Sequence, residues 1–182
     1  MRKLIYAINV TLDGFADHEA GIADEELHDF FTGLMRSAGA ALYGREIYLL
    51  MASYWPTAPD NPASTRSEIE FAQAINRIPK IVFSKTLEKV EWNNTRLVRE
   101  NAVDEVLKLK AQPGKDLYVA GLSFATSMAN KGLIDEYWLL IHPVLLGKGK
   151  PLFKGLQRKL SLKLIEQKTF HSGVVALHYQ AV

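Results

Sequence analysis

Two stretches decide how this chain folds: Ala41-Leu42-Tyr43-Gly44-Arg45 and Leu117-Tyr118-Val119-Ala120-Gly121-Leu122-Ser123-Phe124. Each is a short apolar run with β character that stops at a glycine and hands over to a helical pattern. The handover predicts a strand, a tight turn and a helix whose first backbone N–H groups lack intrahelical acceptors. Such helix ends attract anions, phosphate above all. Two of them in one small α/β unit point to an extended cofactor with more than one anionic group, held across the ends of neighbouring strands.

Outward from these turns, strand and helix patterns alternate, the sequence sign of an α/β fold. Lys3 to Asn9 predicts a buried strand, and Thr11-Leu12-Asp13-Gly14-Phe15 a loop leaving its end. Leu27, Phe30, Phe31, Leu34 and Met35 recur at helical spacing behind the acidic run Asp24-Glu25-Glu26, which suits the positive end of a helix dipole. Ala40 to Tyr43 reads as a strand and Arg45 to Met51 as a short helix, while Pro56, Pro59 and Pro62 mark a surface loop. Helices are expected over Ser67 to Asn76, Asn101 to Lys110 and Ser123 to Asn130, the last with Gly132 as C-cap. Strands are expected over Lys80 to Ser84, Asp116 to Val119 and Glu136 to Val144. Leu160 to Leu164 and Val174 to Tyr179 should pair antiparallel, giving a mixed, mostly parallel sheet with an antiparallel C-terminal end.

The 182 residues suffice for one core, so residues 1–182 are expected to form a single domain. Lys plus Arg number 22 against 20 Asp plus Glu, which leaves no global field to favour nucleic acid. No apolar stretch is long enough to span a bilayer, and Met1-Arg2-Lys3 leads straight into a strand without a signal-peptide pattern. Cysteine is absent, which removes disulfides and thiolate chemistry and suits a cytoplasmic protein. His18, His28, His142, His171 and His178 show no paired ligand spacing, so no metal site is expected. Gly121-Leu122-Ser123-Phe124-Ala125 has alanine where a hydrolase nucleophile elbow needs its second glycine.

Several fragments stand in one order along the chain: Leu12-Asp13-Gly14-Phe15, Asp24-Glu25-Glu26-Leu27-His28 with Phe30-Phe31, Gly44-Arg45 with Tyr48, Val82-Phe83-Ser84-Lys85-Thr86-Leu87, Val119-Ala120-Gly121, and Pro143 to Phe153. Together they resemble the dihydrofolate-reductase-like superfamily, specifically the stand-alone relatives of the reductase half of the bifunctional riboflavin-biosynthesis deaminase/reductase. The resemblance implies a three-layer α/β/α fold, a homodimer, and an NADPH-dependent reductase that passes hydride to a small nitrogen heterocycle or its attached sugar. The substrate it favours is 5-amino-6-(5-phosphoribosylamino)uracil. Dihydrofolate is the second reading, and an NADPH-binding protein without turnover is the third.

Carried onto this chain, the resemblance gives Gly44 and Arg45 the cofactor phosphates, a task suited to the planar, permanently charged guanidinium. Glu46 departs from the basic or polar residue of relatives and must point elsewhere or weaken binding. Ser84 and Lys85 fall where relatives hold the adenosine side, although a lysine after a strand is also commonly just exposed. Ala120-Gly121-Leu122 replaces a run of glycines; with Ser123, able to cap the helix or to meet phosphate, and Phe124, it forms the second expected cradle. Asn9 leaves the first strand on the cofactor side, and Thr11 and Asp13 lie at the mouth expected for substrate. Trp55 could stack on a flat heterocycle, or serve the core or a dimer.

The resemblance to folate reductases, whose first helix carries one acid that helps deliver a proton, makes Glu26, at the margin of the buried stripe near Phe30, the candidate proton donor, with a raised pKa as the expected signature. A run of acids at a helix start is equally read as dipole-stabilising surface charge, and His28 is the alternative donor. Lys148 to Lys168 holds seven Lys or Arg against the single acid Glu166, a run that suits either a phosphorylated substrate or a solvated strand face. A serine-directed phosphonate is expected to leave Ser123 unlabelled in intact-mass spectra, and labelling would reinstate the hydrolase reading.

Overall fold

Alternation within the strands sets the layers. In β2 (Ala40–Gly44), Leu42 points to one face and Ala41 and Tyr43 to the other, all fully buried. A computed structural model describes residues 1–22 and 24–182. The first face meets α4 (Ala102–Ala111) and α5 (Leu122–Asn130) through Val106, Leu109, Ala125, Met128 and Ala129. The second meets α1 (Glu25–Ser37), α2 (Arg45–Ala52) and α3 (Arg66–Arg77) through Met35, Tyr48, Phe71 and Ile75. The result is the three-layer α/β/α sandwich.

The sheet has eight strands in the order β4-β3-β2-β5-β1-β6-β8-β7. β1 is Leu4–Thr11, β3 Lys80–Phe83, β4 Thr95–Val98, β5 Leu117–Ala120, β6 Glu136–His142, β7 Leu162–Thr169 and β8 Val175–Ala181. The first six in spatial order run parallel, and β8 pairs antiparallel with both β6 and β7. Two departures from expectation stand out. β4 was not anticipated, because its four residues are polar-flanked and half-exposed at the sheet edge. β7 starts two residues later than expected and runs on to Thr169, with a bulge between Leu164 and Glu166 and most of its length exposed.

Connections place the crevice. From β1 the chain passes through α1 to β2 over one face, and from β5 through α5 to β6 over the other, so adjacent β1 and β5 send their chains in opposite directions. In open α/β sheets ligands bind outside the carboxyl ends of strands at such a reversal. β1 and β6 stay paired out to Thr11 and His142, well past the end of β5 at Ala120. They therefore form a wall beside a lower floor.

One buried charge holds the opposite end of the fold. Lys80 is 1% exposed, and its Nζ donates to the carbonyl oxygens of Ile75 at 2.9 Å, Asn76 at 3.3 Å and Ile78 at 3.0 Å, closing the C-terminus of α3. The ammonium also lies 4.6 Å from the centre of the Trp92 ring. Lys80→Met keeps the stem and strands the carbonyls, so it is expected to lose about 1–3 kcal/mol in urea unfolding. An unchanged midpoint would show that the carbonyls need no donor.

Candidate functional site

β2 and β5 are neighbours, with Tyr43 in register with Ala120, so the turns that follow them touch. A Cβ on Gly121 would stand 2.9 Å from Ile47 Cγ2, and one on Gly44 would stand 3.0 Å from Phe124 Cβ. Gly121 also adopts φ +96°, a region L side chains avoid. The two glycines thus let α2 and α5 start side by side. What the contact leaves is a pair of helix N-termini, neither with a side-chain cap. Ser123 is not the cap of α5: it lies exposed inside the first turn, and Gly121 occupies the cap position. Phe124 turns its ring away from any cradle and stacks on Phe83 at 4.6 Å. Ala120 is buried beneath the turn, and Leu122 is half-buried on it.

Arg45 opens α2, exposed and without an ion pair among the described residues. A cation at this end of a helix opposes the macrodipole. Arg45 stands on the rim of a cavity of about 670 Å³ bounded by Tyr48, Leu49, Thr86, Lys89 and Trp92. Glu46 points elsewhere, as it must if anions bind here: its carboxylate meets Lys150 Nζ at 3.2 Å. Next along the sheet, Ser84 Oγ accepts from the N–H groups of Thr86 at 3.2 Å and Leu87 at 3.0 Å, so its oxygen shapes the loop while Lys85 stays exposed.

On the wall, Thr11 and Asp13, expected at the substrate mouth, are engaged in hydrogen bonds within the protein. The buried Thr11 hydroxyl donates to Asp13 Oδ1 at 2.6 Å, and Asp13 Oδ2 accepts from the N–H groups of Leu146 at 3.0 Å and Gly147 at 2.7 Å. The Thr11 hydroxyl, with the Gly147 amide, holds the Asp13 carboxyl below its ordinary pKa. The segment 144–152 is thereby clasped over the crevice, aided by Leu12 N–H to Val144 O and Ala16 N–H to Lys150 O. Asn9 remains exposed on the wall, its Oδ1 3.0 Å from His142 Nε2.

The candidate acids separate, since residues two apart on a helix do not share a face. Glu26 accepts from His171 N–H at 3.0 Å and lies 3.1 Å from His171 Nδ1 and 3.4 Å from Lys168 Nζ, all on the β7–β8 hairpin. The His171 backbone bond and its side chain hold the Glu26 carboxyl below the usual range, opposite to the expected raised pKa. Glu26 is an anchor for the hairpin, and its assignment as proton donor is not supported. His28 is half-buried, edge-on to Trp55 with centroids 6.1 Å apart. Trp55 itself packs on Phe71 at 4.6 Å, which places it in the core margin rather than on a free stacking face.

Between α1, α2 and the strand ends lies a feature the sequence reading did not anticipate, an apolar cavity of about 60 Å³ lined by Phe31, Met35, Tyr43, Met51, Tyr118 and others. The fully buried Tyr43 hydroxyl has no hydrogen-bond partner among the described residues, and burial pushes its pKa well up. The place of Tyr43 immediately before the Gly44 turn was the only sequence signal for it.

An open α/β sheet with two bare helix ends beside its crevice is the architecture of the reductase class to which this chain is similar. The chain belongs to the RibD C-terminal domain family, whose model matches residues 2–176. Protein YyaP of Bacillus subtilis is 37% identical over 182 residues, covering 98% of this chain and 94% of its own. A crystal structure from Shewanella sp. PV-4, ascribed to riboflavin biosynthesis, superposes with TM-score 0.76 at 25% identity over 99% of both chains. The deaminase/5-amino-6-(5-phosphoribosylamino)uracil reductase of Thermotoga maritima matches at TM-score 0.67 and 16% identity over all of this chain and 57% of its own. Dihydrofolate reductase of Enterococcus faecalis, complexed with NADP(H), shares the fold at TM-score 0.65 and 11% identity over 98% of this chain and 96% of its own.

Gly121→Ala forces a Cβ against Ile47 and strains φ +96°. It is expected to cost about 1–3 kcal/mol in thermal or urea unfolding, of which a second change, Ile47→Ala, restores only the steric part. Wild-type stability in the single variant would refute the contact.

Proposed function

We propose that this chain is an NADPH-dependent reductase of the family's riboflavin-biosynthesis type, acting on 5-amino-6-(5-phosphoribosylamino)uracil or a close aminopyrimidine. The observation that carries the reading is Arg45: a guanidinium without an ion pair among the described residues, as the first residue of an uncapped helix that abuts a second uncapped helix. Helix dipole and charge repel there, and a phosphate bound between them offsets the cost of both.

The chain's residues fit an extended dinucleotide laid across four strand ends, a span of roughly 14 Å at the usual strand spacing. Ser84 and Lys85 beyond β3 would take the adenosine side, and the 2′-phosphate would fall to Lys85. Arg45 and the first-turn amides of α2 and α5 would hold the pyrophosphate. Asn9 on the β1 wall would meet the nicotinamide end. When bound, NADPH supplies the hydride. The protein's part is to orient donor and acceptor and to keep water out beneath the clasped 144–152 segment.

The alternative of NADPH binding without turnover draws support from Glu26, whose carboxylate is tied to the hairpin rather than free as an acid. Titration of the intrinsic fluorescence of the three tryptophans with NADPH and NADH, followed by NADPH oxidation with the aminouracil substrate and with dihydrofolate, separates the readings. Arg45→Ala is expected to weaken NADPH binding by about 1.5–3 kcal/mol without lowering the unfolding midpoint of the free protein. Unchanged affinity would remove Arg45 from the site, and tight binding with no oxidation of NADPH would select the non-catalytic reading.

A further inference from the structure

His142 ends β6 and is 1% exposed. The loop between β1 and α1 approaches its ring, with the site of a Cβ on Gly21 only 3.3 Å from His142 Cε1. Its two nitrogens face two different partners. Nδ1 lies 2.9 Å from the Ile22 backbone nitrogen, and Nε2 lies 3.0 Å from Asn9 Oδ1.

A backbone N–H can only donate, so Nδ1 must accept, and the ring proton of neutral imidazole must then sit on Nε2. An Nε2–H can only donate, so the Asn9 atom facing it must be the carbonyl oxygen. The orientation of Asn9 is thereby settled by chemistry: its NH2 group faces away from His142. Among the described residues no acceptor takes those hydrogens, although Asn9 stands exposed on the wall of the crevice.

The geometry points to His142 as the positioning residue that, as the Nε2–H tautomer, presents the Asn9 NH2 as a fixed hydrogen-bond donor to a ring-borne carbonyl oxygen of the bound ligand. On the cofactor reading above, on which this part rests, that oxygen belongs to the nicotinamide carboxamide. A pre-set donor loses no rotamer freedom on binding and rejects a ligand that offers a donor at the same place. Protonated His142 would carry a second N–H, aimed at the Ile22 N–H, and the two donors would force the ring or the loop to move. Burial lowers the pKa of the ring and so favours its neutral form, and Asp24 at the N-cap of α1 is the charged group that opposes this.

Glutamine spaces an acceptor and a donor much as imidazole does, but it does not titrate. His142→Gln is therefore expected to bind NADPH within about threefold of wild type and to stay level as the pH falls, while wild type weakens in acid. His142→Leu, and Asn9→Asp, which accepts from His142 but cannot donate, are each expected to lose about tenfold or more in affinity at neutral pH. Nitrogen NMR of the free protein should show an unprotonated Nδ1 and a protonated Nε2 for His142, and a single ordered Asn9 amide that becomes mobile in His142→Leu. Wild-type affinity in Asn9→Asp, a wild-type acid profile in His142→Gln, or a ring proton on Nδ1 would each overturn the proposal. Should wild type bind neither NADPH nor NADH, the cofactor assignment of the ligand falls; the NMR then still decides whether His142 orients Asn9.

Discussion

The close approach of two backbone turns is the constraint on which the candidate site depends. Because Gly121 lacks a Cβ, Ile47 can lie against it, and a Cβ on Gly44 would crowd Phe124. Their mutual contact brings the starts of α2 and α5 together, two helix ends without a side-chain cap. Glycine here serves packing first, and the anion-binding character follows from what that packing exposes. The same contact pins Phe124 onto Phe83, so the floor of the crevice is braced from the core beneath it.

The wall is built by different means. Thr11, Asp13 and the amides of Leu146 and Gly147 form a polar clasp at the surface, and each member satisfies another. A floor of apolar contacts and a wall of hydrogen bonds respond differently to conditions. The clasp relies on an ionised Asp13 whose pKa is depressed, so its contribution is present above the ordinary carboxylate value and fades as the pH falls through the folded one. The glycine contacts of the floor, with Ile47 and Phe124, involve no carboxylate and carry no such dependence.

Much of this architecture was legible in the sequence, because period and punctuation are local properties. The strands before Gly44 and Gly121, the helices after them and the antiparallel ending all follow from short patterns. β4 was invisible for the complementary reason: four half-exposed residues carry too little apolar signal to mark a strand whose existence depends on pairing with β3. The site residues were read less well where partners are distant in sequence. Nothing around Glu26 announces that His171 and Lys168 will meet it, and nothing around Asp13 announces the amides of Leu146 and Gly147. Arg45 does open the helix that its glycine turn predicts, whereas Asn9 lies two residues inside β1 because the strand runs on to Thr11. His142 was passed over because a lone histidine has no pattern; its meaning lies in which atom faces Ile22 and which faces Asn9.

The outermost strand has a consequence of another kind. β7 presents unpaired backbone groups along an open border, with Leu164 and Ile165 about half exposed, a combination that invites another chain to add itself. The irregularity at Leu164 interrupts the even spacing a long ninth strand would require, and Lys163 and Lys168 place like charges where two such borders would meet. Uncontrolled stacking of sheets into fibres is thus discouraged by the same hairpin that, through Lys168 and His171, ties itself back to the first helix.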